Sequence, residues 1–232
     1  MNSKLAKLID LHNKYIWLEL ILLMGWVFAM CLYIAPGSFT HTVGFMLRNP
    51  LLIVLNVLPI AVLMLIIYFA FSNSFAAGAA ANVVFGLLSY ANLLKIDGRD
   101  DPLVPADILL LREALQASGD YRLDLHPALI ALIVVSTAAF IVLAVMLGKT
   151  KKRPAMPRVI GVVLSIAVFI GAFFGLYRDR ELHDSFPTSS VYNMTTMFNE
   201  LGLNYCFLYN FNLYTADKPD GYSASKVESY IE

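Results

Sequence analysis

The chain has 232 residues, of which 59% are hydrophobic and 15% charged, and its mean hydropathy is +0.67. Soluble domains carry about 45–50% apolar and about 25% charged residues, so this composition excludes an ordinary soluble fold and indicates an integral membrane protein. The formal net charge is zero, which leaves none of the basic excess that a nucleic-acid partner would need.

The two cysteines, Cys31 and Cys206, are isolated and offer no metal-binding or redox spacing. They read as small buried apolar residues.

Residues 1–15 are polar and carry Lys4, Lys7 and Lys14; an apolar run, Ile16–Ile34, follows. That run exceeds the apolar core of about 7–15 residues in a signal peptide and lacks a small-residue cleavage site, so it is expected to stay as a signal-anchor. Glu19, near its start, is expected to snorkel to the interface. Trp17 and Tyr33 sit near the two ends, where aromatic belts lie.

A loop, 35–50, leads to a second span, Leu51–Phe71, which has no ionisable residue and contains Pro59. The short 72–74 linker predicts an antiparallel hairpin with the third span, Phe75–Leu94. In that span Gly78, Asn82, Gly86 and Tyr90 recur every four residues. Small residues on one face let backbones approach closely, and Asn can hydrogen-bond across helices, so this helix is expected at the packed centre.

The segment 95–126 is the long polar break. Asp100, Asp101, Pro102 and Pro105 forbid a continuous membrane helix there, yet 106–117 regains helix-forming composition. This short helix is expected to lie in the membrane interface, with Asp107 in its first turn favouring the helix dipole. A fourth span, Pro127–Leu147, leads to a loop holding Lys149, Lys151, Lys152, Arg153 and Arg158. A fifth span, Val159–Tyr177, precedes a mixed tail, 178–232. Each span is about the length that crosses some 30 Å of hydrocarbon.

The Lys-bearing N-terminus and the 149–158 loop are separated by four spans and so share a side. The positive-inside rule makes that side cytoplasmic. The expected architecture is all-α: a five-helix membrane domain over 1–178, a short outer interfacial helix, and an extracellular juxtamembrane segment over 179–232. The location is the cell membrane, with the N-terminus inside and the C-terminus outside.

Ion-coupled carriers place ionisable groups inside the bundle, and spans two to five have none at depth. There is no H-E-x-x-H, phosphate-cradling loop or nucleophile elbow, so no catalytic residue is assigned. Arg99, Arg112 and Arg122 are candidates for holding a lipid phosphate through bidentate guanidinium contacts. The competing reading pairs Arg99 with Asp100 or Asp101, and Arg112 with Glu113 or Asp107.

The run 91–115 resembles the outer loop of lipoteichoic acid synthase-like proteins, the polyglycerol-phosphate transferases of the alkaline phosphatase and sulfatase superfamily. The likeness lies in Asn92, Lys95, Arg99, Pro102, Pro105, Asp107 and Glu113. The tail is similar to the family's segment leading to its extracellular domain, through Phe207-Leu208-Tyr209-Asn210, Lys218-Pro219, Gly221-Tyr222-Ser223 and Val227. The chain departs from the family at Leu93-Leu94, where aromatics are common, and at Asn204-Tyr205-Cys206, where a glycine is usual.

The resemblance implies a membrane anchor for glycerol-phosphate transfer in cell-envelope biogenesis. Its partners would be phosphatidylglycerol and a sulfatase-like catalytic domain, in cis or in trans. In the family a threonine nucleophile and a divalent metal, Mn or Mg, belong to that domain, so no metal or cofactor is expected in these residues. The alternatives are a stand-alone lipid-binding or interaction module and, further off, a small lipid or solute transporter.

Overall fold

In the computed structural model, residues 11–12, 14–109, 125–147, 154–190 and 192–211 are described. They form helices only. Five are long and apolar enough to cross a membrane: α1 (Ile16–Ile34), α3 (Pro50–Phe71), α4 (Ser74–Arg99), α6 (Pro127–Leu147) and a helix running from Ala155 to Tyr177. The last comprises α7 (Ala155–Ala172) and a closing π-turn, Phe173–Tyr177. The shorter helices are α2 (Phe39–Arg48), α5 (Pro105–Leu109), α8 (Arg180–Asp184), α9 (Met194–Leu201) and α10 (Leu203–Tyr209). This is an all-α bundle and a multi-pass membrane protein.

Helix boundaries differ from the sequence reading in the second, third and fifth spans. The third span does not stop at Leu94; α4 continues to Arg99, because Asp100 supplies a left-handed C-cap (φ 52°) whose N–H returns to Ile96. Lys95, Asp97 and Arg99 therefore stand on a helix rather than in a loop. The second span gains Pro50, whose missing N–H is no loss in a first turn. The fifth begins at Ala155, ahead of Val159, and so takes Arg158 onto the helix.

α4 occupies the middle, packed against α1, α3 and α6. Its small residues face different neighbours. A methyl at Gly78 would lie 3.1 Å from Leu23 of α1, and one at Gly86 would lie 3.1 Å from both Met30 of α1 and Ile133 of α6. Asn82 is fully buried between them, its Nδ2 within 2.9 Å of both Ser136 Oγ and Thr137 Oγ1 and 3.2 Å from the Ile133 carbonyl of α6.

α3 depends on α7 for its carbonyls. Pro59 has no N–H, so Leu55 C=O lacks its helical donor; Tyr177 O–H donates to it at 2.5 Å. The last carbonyls of any helix lack intrahelical donors, and here Arg158 donates to those of Phe69 and Ala70. Gly161 makes this approach possible, since a Cβ there would lie 2.4 Å from the Phe69 ring.

At the end of the bundle holding the 72–73 turn, Glu19 does not simply reach toward solvent. Its carboxylate lies 2.6 Å from His12 Nδ1 and accepts from Ser74 Oγ at 3.0 Å.

Candidate functional site

The opposite end carries a cap built from two segments far apart in sequence. The first is 92–107. Asn92 Oδ1 accepts from Leu103 N–H at 2.8 Å, which turns the chain back over the end of α4. Lys95 Nζ donates to Asp101 Oδ2 at 2.7 Å, Asp107 Oδ2 at 2.8 Å and the Pro102 carbonyl at 2.8 Å. An ammonium has three N–H donors, and all three are engaged. Pro105 opens α5 in the position proline favours, and Asp107 reaches back to the Val104 N–H at 2.7 Å, one half of a capping box. Beside this, His126 Nε2 lies 2.8 Å from Asp97 Oδ2, and the backbone N–H of His126 donates to the Tyr90 hydroxyl oxygen at 3.1 Å.

The structure thus brings Asn92, Lys95, Pro102, Pro105 and Asp107 together. Arg99 lies one turn beyond Lys95, exposed, at the last residue of α4. Arg112 and Arg122, together with most of the expected 106–117 helix, lie outside the described residues.

The second segment is 178–211. Sequence reading gives it no packing role, but α9 and α10 fold back into the bundle, with Leu201, Tyr205 and Cys206 fully buried. Asn56 of α3 is the bracket. Its Nδ2 donates to Leu201 C=O at 2.7 Å and its Oδ1 accepts from Tyr205 N–H at 3.1 Å. Its own carbonyl accepts from Asn204 Nδ2 at 3.0 Å. Gly202 makes the approach possible: its φ is +91°, and a Cβ there would lie 2.4 Å from Asn56 Oδ1. Buried Glu200 ties down Ser189 through both carboxylate oxygens, at 2.6 and 2.8 Å.

His183 stacks on Tyr209 with ring centres 3.7 Å apart, and its Nδ1 lies 3.2 Å from Tyr205 O–H. Burial holds its pKa below the ordinary value, against the opposing pull of Asp184. The two segments meet directly where Thr195 Oγ1 donates to Asp100 C=O at 3.0 Å. Leu103 and Val104 also pack on the core that holds Tyr205 and Phe207.

Beneath the cap, between α3 and α4, lies a groove of about 630 Å³. Pro59, Val62, Leu88 and Phe207 line it; Asp107 and Asn204 are the polar side chains among its lining residues. Among the described residues no group of three His, Cys, Asp or Glu side chains is placed to hold a metal.

Asn56, Asn204, Tyr177, Gly202 and His183 went unassigned in the sequence reading. The available signal was a single Asn inside the otherwise apolar 51–71 run, three residues before a proline. A polar residue there is costly unless another element satisfies it. Comparison with family models, with curated proteins and with solved structures gives no match.

Proposed function

We propose that this chain is the membrane part of a lipoteichoic acid synthase-like glycerol-phosphate transfer system. In this reading the cap end faces outward and the 72–73 end faces the cytoplasm. The cap holds a sulfatase-fold domain, in cis or in trans, beside the outer leaflet and its phosphatidylglycerol. One observation carries the reading. The two segments with the family likeness, 91–115 and 203–232, are about a hundred residues apart, yet Leu103 and Val104 of the first pack on the core that holds Leu203, Tyr205 and Phe207 of the second. An anchor that must set the direction of an attached domain needs its exit segment fixed to the bundle, and residues 194–211 are so fixed.

The test uses a photo-crosslinking amino acid at Tyr192, which is 97% exposed on the cap, in native membranes. The expected product is a crosslink to a sulfatase-fold polypeptide, continuous with this chain or separate. Deletion of the gene should also lower glycerol-phosphate polymer in the envelope. Crosslinks confined to unrelated proteins, with polymer unchanged, overturn the reading.

A further inference from the structure

We propose that α2 lies in the headgroup layer of the membrane and holds an anionic phospholipid there, with Arg48 on the lipid's phosphate. The sequence reading takes 35–50 as a loop, but the structure folds ten of these residues into α2. Residues 35–38 separate α2 from the end of α1, and Asn49 separates it from the start of α3. Both neighbours are long and apolar enough to cross the membrane. α2, about 15 Å long at about 1.5 Å per residue, is therefore confined to the boundary where they emerge.

One side of α2 is taken. Thr42 and Met46, four residues apart, are buried against the cap core and α9. At about 3.6 residues per turn the remainder has two edges. Phe39, Val43 and Leu47 follow one another on the first; Leu47 is 68% exposed and Phe39 45%. His41 and Arg48, two turns apart and both exposed, stand on the second, with Gly44 between the edges. Tyr33 near the end of α1 and Leu51 near the start of α3 are exposed close by in the chain. A helix with an apolar edge beside a basic one lies in the interface plane, its apolar side toward the acyl chains and its cations toward the headgroups.

Charge decides the headgroup. Residues 35–50 carry Arg48 and His41 and contain no Asp or Glu. Lys95, at the same end of the bundle, has its donors committed to Asp101, Asp107 and Pro102. The Arg48 guanidinium is in no ion pair among the described residues and is open to an outside acceptor. A guanidinium gives a phosphate two parallel N–H bonds, and the exposed His41 ring adds an N–H donor two turns away. A zwitterionic lipid offers the same phosphate but brings an ammonium that Arg48 repels; an anionic lipid brings net negative charge. This inference rests on α2 and not on the family likeness or on the side the cap faces, so either can fail without the other.

The test places a photo-crosslinking amino acid at Leu47 of the whole chain, in nanodiscs of phosphatidylcholine, phosphatidylglycerol and phosphatidylserine in equal amounts, and identifies the adducts by mass. The two anionic lipids should be captured equally, each about fivefold over phosphatidylcholine, the weight of one cation at an anionic surface. Arg48→Gln should bring that ratio near unity, and Arg48→Lys, which keeps the charge, should retain most of it. Arg180→Gln removes another exposed cation, one flanked by Asp179 and Glu181, and should leave the ratio unchanged. Excess soluble glycerol phosphate should not displace the lipid, because it has no acyl chain to lay along the Phe39 edge. Equal capture of the three lipids, preference for one anionic lipid over the other, an unchanged ratio in Arg48→Gln, an equal loss in Arg180→Gln, displacement by the soluble phosphate, or adducts to a second copy of the chain in place of lipid each overturn the proposal.

Discussion

At the scale of single residues, the cap hangs on Asn56, whose side-chain oxygen and nitrogen are both engaged by the returning tail. Replacing Asn56 by Leu removes the partner of Leu201 C=O and of Tyr205 N–H while both stay buried. Each such orphan costs about 1–3 kcal/mol, so the cap should lose about 2–6 kcal/mol. Cys206 reports this: it is fully buried, and burial pushes its thiol pKa up, so in the folded cap it reacts slowly. In a Cys31→Ala background, Asn56→Leu should raise maleimide labelling of Cys206 by about tenfold or more; unchanged labelling would show that the bracket holds nothing. His183 gives the cap a pH dependence of defined sign. Its folded pKa lies below the ordinary 6.5, so the unfolded chain takes up the proton first as pH falls. Its contribution is complete above about pH 6.5 and is lost as pH falls through the lower folded value. Thermal melts in detergent should show a midpoint that drops between pH 7 and 5, and His183→Asn should flatten that slope; a parallel slope in the variant would exclude the assignment.

At the scale of elements, α3 and α7 form a unit in which one helix completes the other. Tyr177→Phe leaves Leu55 C=O without its donor and should destabilise the bundle by about 1–2 kcal/mol. In a Pro59→Ala background residue 59 regains an N–H that bonds the same carbonyl, so the identical substitution should then cost under about 0.5 kcal/mol. Equal costs in the two backgrounds, measured by denaturation in mixed micelles, would show that the proline and the tyrosine act independently. The helices themselves were legible because runs of about twenty apolar residues have few alternatives to spanning. Their ends were less so. Asp100 in a left-handed cap extends α4 past Lys95, and composition alone reads the charged residues there as the start of a loop. The pairing of α3 with α7 was not legible at all. Gly161 and Ser165 stand four residues apart and are both buried, but the spacing does not name the partner, and it is the Phe69 ring, 2.4 Å from where a Cβ on Gly161 would stand, that explains the glycine. Likewise Asn92, Lys95, Pro102 and Asp107 could be named from the sequence. That Lys95 spends all three donors inside the turn depends on distances no spacing encodes.

At the scale of the whole molecule, the outward direction of the cap is a prediction from charge alone. Single cysteines at Ala117 and Ser223, in a background with Cys31 and Cys206 replaced, should react with an impermeant reagent on intact cells, and one at Thr150 should not. Labelling at Thr150 in sealed cells would invert the orientation and move the groove to the other leaflet. The bracket of Asn56 and the bond from Tyr177 to Leu55 also have a consequence in time. Tyr177 follows Leu55 by 122 residues. At about 5–20 residues per second the ribosome takes about 6–24 s to make that stretch. Through that interval the nascent second span is already synthesised with a carbonyl at Leu55 that its own proline cannot serve, and with an Asn56 whose distant partners do not yet exist. The second span is therefore held provisionally during synthesis and becomes fixed only when the fifth span and the returning tail arrive.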